Sequence, residues 1–244
     1  MRRKIDLNPD WRFHLGDDPA ADFMGYDDSA WRKVSLPHDW SVEHPFDRAH
    51  SSGTGYLPGG TAWYRKHFFL SPGDADGRVR LTFGGVYKHA RVWINSNYLG
   101  QRAYGYSTFT FDVTDFVREG ENVICVRVEH EETADSRWFT GSGIYRDVTL
   151  ELTEICAFAP DGVFVSTQAV ENGAARIMVE YETIGAQGAV FRVCDADGRE
   201  VACAQAEGEK GEAQLTLENA RLWSPDVPQL YTLHAEALSG GERC

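Results

Sequence analysis

The sequence has 244 residues, of which 42% are apolar, and a formal net charge of −13 at pH 7. That much apolar content supports a sizeable core and sets general disorder aside, while the negative balance repels phosphate backbones and excludes a nucleic-acid partner. No apolar run is long enough to cross a bilayer as a helix, so no membrane partner is expected.

The N-terminus, Met1-Arg2-Arg3-Lys4, carries charge with no apolar stretch behind it, so no secretory signal is read there. Along the first two-thirds of the chain, short runs rich in β-branched and aromatic residues alternate with Gly, Pro, Asp and Asn. This spacing predicts strands over 63–70, 78–83, 90–94, 109–113, 123–128 and 148–152. In the run 123–128, Ile124, Val126 and Val128 share one face, and Val123 and Cys125 share the other. Asn95-Ser96-Asn97 predicts a hairpin turn, because Asn tolerates left-handed backbone. Trp11, Trp31 and Trp93 are flanked by apolar neighbours and are expected in the core.

A break is expected near 153–160. A second set of strands follows from Val163, over 176–181, 189–193, 201–204, 214–217 and 231–237. No long segment shows helical periodicity. The expected fold class is therefore all-β, with domains over 1–153 and 158–244, and strand spacing that suits β-sandwiches.

The chain has five cysteines, at 125, 156, 194, 203 and 244, with no Cys-x-x-Cys spacing. An odd count without metal-ligand spacing predicts no zinc site and no disulfide framework, and favours free thiols in a reducing cytoplasm. Cys194 and Cys203 flank the turn at 195–199, where they can face each other across a hairpin. His67, His89 and His130 lack partners at metal-ligand spacing, so no metal and no cofactor is expected. The acidic stretch from Glu129 to Glu132, with Asp135, reads as a solvated strand end. No nucleophile elbow, phosphate loop or dinucleotide fingerprint is present.

Several motifs occur in a fixed order. Pro37-His38-Asp39-Trp40 is followed by Gly55-Tyr-Leu-Pro-Gly-Gly-Thr-Ala-Trp-Tyr-Arg-Lys66 and then by Gly84-Gly85-Val86. Val92-Trp93-Ile94-Asn95, Tyr104-Gly-Tyr-Ser-Thr-Phe109 and Glu119-Gly-Glu-Asn-Val-Ile124 come next. Ser136-Arg-Trp-Phe-Thr-Gly-Ser-Gly-Ile-Tyr-Arg-Asp147 and Leu222-Trp-Ser-Pro-Asp-Val-Pro-Gln-Leu-Tyr231 complete the set. Taken together they resemble the N-terminal region of glycoside hydrolase family 2, the β-galactosidase and β-glucuronidase family. The resemblance implies a jelly-roll sugar-binding domain followed by an incomplete immunoglobulin-like sandwich.

It also implies that the two catalytic carboxylates of a retaining glycosidase lie on a (β/α)₈ barrel outside this sequence, which has no Asn-Glu dipeptide and no room for about 250 further residues. The chain alone is expected to be inactive, with no catalytic residue of its own. A sandwich lacking its last strand exposes unpaired backbone, which favours homo-oligomers. The partners implied are a β-galactoside-type carbohydrate and the barrel of the same polypeptide. The matching substrate-binding positions are Asp39, Asp135, Arg137 and Trp138. Asp39 admits two readings, an acceptor for sugar hydroxyls or an Asx contact that stabilises its own turn. Many family members carry Asn where Asp135 stands, and Arg137 can serve by holding Asp135. Trp138 can stack on sugar or fill a domain junction; Tyr145 suits the junction. Leu-Pro-His-Asp-Trp favours a galactosidase, with glucuronidase, mannosidase, a stand-alone carbohydrate-binding module and a structural spacer as alternatives.

Overall fold

The structure is a computed structural model that describes residues 2–130, 136 and 138–244. It is all-β, and the chain divides into two compact units, Arg2–Leu152 and Thr153–Cys244.

The first unit starts with three short strands, β1 (Arg3–Asp6), β2 (Trp11–Leu15) and β3 (Arg32–Val34). They continue into β4 (Gly60–Leu70), β5 (Arg78–Phe83), β6 (Ala90–Ile94), β7 (Asn97–Arg102) and β8 (Phe109–Asp112). The set ends with β9 (Gly120–His130) and β10 (Val148–Thr153). A four-stranded sheet in the order β1-β10-β5-β8 and a six-stranded sheet in the order β3-β2-β4-β9-β6-β7 make the jelly-roll sandwich.

Alternation decides the packing. Trp11 and Phe13 of β2, Tyr64 of β4 and Ile124, Val126 and Val128 of β9 point into one core, with Leu81, Phe83 and Leu150 among its further members. Each such large apolar side chain contributes about 1.5–3 kcal/mol on burial. Val123 and Cys125, on the opposite face of β9, lie in a separate cluster with Ala21, Trp31 and Trp63. Both faces of the six-stranded sheet are therefore covered, the outer one by the segment between β2 and β3. Trp11 is fully buried, Trp31 is buried and Trp93 is half-buried against the outer cluster, so all three pack as expected.

Arg65 on β4 ties that outer segment down. Its guanidinium is fully buried and donates to the Asp28 carboxylate at 2.7 Å and to the carbonyls of Ala21, Phe23 and Met24 at 2.5, 3.0 and 3.1 Å.

The Asn95-Ser96-Asn97 turn joins β6 to β7 as expected, with φ of 48° at Asn95 and 69° at Ser96. Both central residues are left-handed, as a hairpin twisting with its strands requires.

The second unit holds β11 (Ala157–Glu171), β12 (Ala174–Ile184), β13 (Gly188–Cys194), β14 (Glu200–Glu207), β15 (Lys210–Leu217), β16 (Thr232–Ser239) and β17 (Glu242–Arg243). They form a three-stranded sheet, β11-β12-β15, and a four-stranded sheet, β14-β13-β16-β17. Val179, Tyr181, Phe191 and Leu215 lie in the core. The Tyr181 hydroxyl donates to the Glu207 and Gly208 carbonyl oxygens at 2.9 and 3.1 Å, anchoring the β14–β15 turn from within.

Two expectations are corrected here. The break falls where expected at its start, since the compact units divide after Leu152, but from Ala157 on the stretch already belongs to β11, which pairs with β12 and carries an irregularity between Phe158 and Val163. Pro160 and Gly162 mark that interruption, so they signal a bulge rather than the end of a strand. The cysteines are not all free: Cys156 and Cys244 form a disulfide. The β16–β17 hairpin returns the chain so that the Cys244 backbone N–H donates to the Ala237 carbonyl at 3.0 Å, and its side chain meets the residue just before β11. Cys125, Cys194 and Cys203 are free, and Cys194 and Cys203 lie opposite Glu200 and Arg192, not each other. With one disulfide and three free thiols, the odd cysteine count gives no support for a reducing compartment.

Candidate functional site

Two of the motifs meet on the first unit. The His38 backbone N–H donates to the Ile144 carbonyl at 2.8 Å, and the Trp40 N–H donates to the Ser142 carbonyl at 3.1 Å. This short ladder lays Pro37-His38-Asp39-Trp40 alongside Gly141-Ser142-Gly143-Ile144. Trp40 is fully buried and its indole N–H donates to the Gly59 carbonyl at 3.1 Å, which fixes the turn from below.

Asp39 stands between the two segments. Its Oδ1 accepts from the Ser41 N–H at 2.9 Å and from the Ser142 N–H at 2.8 Å. The other oxygen, Oδ2, makes no hydrogen bond among the described residues. Burial raises the Asp39 pKa above the usual carboxylate value, and the two backbone N–H bonds oppose that rise without cancelling it. One oxygen is thus spent on holding the turn, and the second is left as an oriented acceptor. The Asx contact expected at this turn is therefore made by Oδ1 alone.

The glycines explain why Oδ2 stays open. Gly141 has φ +72°, and a Cβ there would stand 2.8 Å from Oδ2. Gly143 has φ +125°, and a Cβ there would stand 2.3 Å from the Tyr64 hydroxyl and 2.6 Å from the His38 carbonyl. Neither neighbour can retreat, since Tyr64 is fully buried and the His38 carbonyl is backbone. Gly143→Ala is therefore expected to cost about 1–3 kcal/mol in backbone strain alone. It should also displace the Ser142 N–H from Asp39; a urea melt of the variant against wild type measures the cost.

A buried polar network supports the turn. The Ser41 hydroxyl lies 2.6 Å from the Pro58 carbonyl oxygen and 2.6 Å from the Ser142 hydroxyl, which in turn lies 2.6 Å from His130 Nδ1. On the other side, His38 Nδ1 is 2.7 Å from the Tyr64 hydroxyl and its Nε2 is 3.2 Å from Glu43, which also pairs with Arg32. Burial holds the His38 pKa below its ordinary value despite Glu43. His38 is a structural member of the site.

Trp138 is 61% exposed, and its indole N–H donates to the Tyr106 hydroxyl at 2.9 Å. The Tyr145 hydroxyl donates to the Gly105 carbonyl at 2.8 Å. Asp135, Arg137 and the acidic residues 131 and 132 lie outside the described residues. Sequence reasoning does not single out Ser41, Ser142 or Tyr106 as site residues, and it treats His130 only as a histidine without metal-ligand spacing. Ser142 sits inside a motif that it does single out, and only its pairing with a segment 103 positions earlier reveals its role. Among the described residues no group of three His, Cys, Asp or Glu side chains can hold a metal ion.

Residues 5–155 match the family model described as glycosyl hydrolases family 2, sugar binding domain, and residues 161–243 match the model described as glycosyl hydrolases family 2. The chain is 40% identical to beta-galactosidase BoGH2A of Bacteroides ovatus over 99% of its own length and 30% of that protein's. It is 33% identical to a putative beta-glucuronidase of Formosa agariphila, over 98% of the chain and 24% of that protein. Among solved structures, a beta-glycosidase from Bacteroides vulgatus superposes with a TM-score of 0.90 at 30% identity, covering 99% of this chain and 32% of that one. A glycosyl hydrolase family 2 member from Bacteroides cellulosilyticus superposes with a TM-score of 0.87 at 33% identity, covering 99% and 34%. The chain thus spans 30% and 24% of the length of these two curated relatives.

Proposed function

Because the chain belongs to glycoside hydrolase family 2, we propose that it forms the sugar-contacting N-terminal part of a retaining β-glycosidase whose substrate is a β-galactoside. Asp39 Oδ2 is the group assigned to the sugar. The observation that carries this reading is the division of labour within one carboxylate, with Oδ1 saturated by two backbone N–H groups and Oδ2 open beside Gly141. A carboxylate held in this way accepts a charge-assisted bond from a sugar hydroxyl, and such bonds are about twice as strong as neutral ones. A sugar lacking that hydroxyl leaves a half-buried acceptor unpaired, which is how a polar site rejects analogues. Asp135, Arg137 and Trp138 are assigned to the same sugar by their place in the motif that supplies Ser142. The galactoside assignment is supported by the Leu36-to-Trp40 motif and by the 40% identity to a β-galactosidase. The catalytic pair is assigned to the portion of the relatives that this chain does not span.

The experiment is a panel of aryl β-galactoside, glucuronide, mannoside and glucoside turned over by the enzyme that carries this chain. Preferred hydrolysis of the galactoside is expected. Preference for another glycoside would discard the substrate, and no turnover of any would discard the glycosidase.

Asp39→Asn separates function from folding. The carboxamide oxygen still accepts from both backbone N–H donors, of Ser41 and Ser142, so the turn survives. Ionising a carboxyl whose folded-state pKa is raised costs stability. The protonated form's contribution is present below the ordinary carboxylate pKa and is lost as pH rises through the raised one. The variant should therefore melt no lower than wild type at neutral pH. Its melting temperature relative to wild type should rise between about pH 3 and neutrality. Thermal scans at several pH values check this; a variant that melts well below wild type at neutral pH would show that the carboxylate's charge serves the fold.

A further inference from the structure

We propose that the cleft walled by Tyr104, Tyr106 and Trp138 holds a second saccharide unit, next to the unit bound at Asp39; this rests on the reading of Asp39 given above. The cleft has a volume of about 420 Å³, and Tyr87, Lys88, His89 and Ser136 are among its other lining residues. Ligand clefts run from about 300 to 1,000 Å³, apolar in lining with a few polar groups.

The rings are set in advance. Tyr104 is 63% exposed and Trp138 61% exposed, yet neither hangs free. The Trp138 indole N–H donates to the Tyr106 hydroxyl at 2.9 Å, and the Tyr106 ring stands edge-on to Tyr104 at 5.7 Å. Tyr106 also packs at 5.3 Å against Tyr87, a ring only 5% exposed. Gly105, between the two tyrosines, has no room for a side chain, because a Cβ there would stand 2.2 Å from the Tyr87 ring. A platform braced in this way loses little rotamer freedom when a ligand settles on it.

The chemistry selects a saccharide. A pyranose presents a flat face of C–H groups to an aromatic ring and directs its hydroxyls sideways. The exposed rings are Tyr and Trp, which combine an apolar face with a polar edge, and Lys88, His89 and Ser136 supply polar groups at the rim. The location selects a neighbouring unit. Trp138 and Gly141 belong to one loop and are three positions apart, at most about 11 Å of extended chain. Gly141 lies directly against Asp39. A short oligosaccharide seated at Asp39 reaches the platform with its adjoining unit.

The test is a titration of the 244-residue chain with β-1,4-galactotriose and with galactose, followed by NMR. The trisaccharide is expected to bind saturably and more tightly than galactose. Tyr104→Ala, at an exposed position, should weaken the trisaccharide about tenfold, the scale of a lost aromatic contact, and leave galactose unchanged, whereas Trp138→Ala, at a residue shared with the sugar at Asp39, should weaken both. Asp39→Asn should weaken both ligands. A trisaccharide that binds no tighter than galactose, or whose affinity ignores both aromatic substitutions, overturns the cleft. If Asp39→Asn changes neither ligand while the aromatic substitutions weaken the trisaccharide, the platform stands and the reading of Asp39 fails.

Discussion

Arg65→Met is expected to unfold the first unit or leave it barely stable. The guanidinium is fully buried, and methionine fills much of the same space without replacing any of its donors. Asp28, only 7% exposed, would lose its bond to Arg65 and keep only His67 at 2.8 Å. The carbonyls of Ala21, Phe23 and Met24 would each lose the bond from Arg65 at the same time, with Phe23 keeping the Tyr26 N–H. Removing one partner of a buried ion pair costs about 3–5 kcal/mol, and whole domains have only about 5–15 kcal/mol of stability to lose. Adding Asp28→Asn should recover part of the loss, because it removes the orphaned charge. Arg65→Lys should recover little, since one ammonium cannot reach acceptors spread around a planar fork. Urea denaturation of the three variants measures each effect; a loss below about 1 kcal/mol for Arg65→Met, the scale of an exposed ion pair, would mean that the outer segment is held by apolar contacts alone.

Reduction of Cys156–Cys244 is expected to destabilise the second unit by a comparable amount. The bond closes a loop of 88 residues and encloses both sheets of that sandwich. In the chain-entropy account, loops of this size contribute about 4–5 kcal/mol by restricting the unfolded chain. β17 has only two residues, so little else holds the hairpin that carries Cys244. Cys156→Ser should reproduce the effect of a reductant, and a reductant should then do nothing further to the variant. Unchanged melting on reduction of the wild type would contradict the pairing. The first unit, whose Cys125 is a free thiol buried beside Arg65, should melt at the same temperature with or without reductant.

What could be read from sequence follows the range of the interaction that decides it. The two faces of β9 were legible because alternation is local: Ile124, Val126 and Val128 enter one core, and Val123 and Cys125 enter the other. The hairpin at Asn95-Ser96-Asn97 was legible for the same reason, although β7 was not, since its residues are mostly exposed and carry no apolar alternation. β1 and β3 escaped because strands of four and three residues give too short a pattern. The pairing of Cys156 with Cys244 depends on where a distant hairpin places its end, and no spacing rule reports that. Arg65 lies within a recognised motif, but a cation in a strand reads as solvent-facing until Asp28 and the outer carbonyls close over it. Asp39 was legible as a motif position. Its division into a structural oxygen and an open one was not, because the second N–H comes from Ser142 on a segment far along the chain.

The measurement that bears most directly on the open oxygen is kcat/KM of the enzyme carrying this chain, wild type against Asp39→Asn, on an aryl β-galactoside. The carboxamide keeps the turn and removes only the charged acceptor. Loss of a hydrogen bond to a charged group, at about 1.5–3 kcal/mol, predicts a roughly 10- to 100-fold fall in kcat/KM with no loss of thermal stability. Equal kcat/KM for the two proteins would contradict the assignment and leave Asp39 as a residue that only holds its turn.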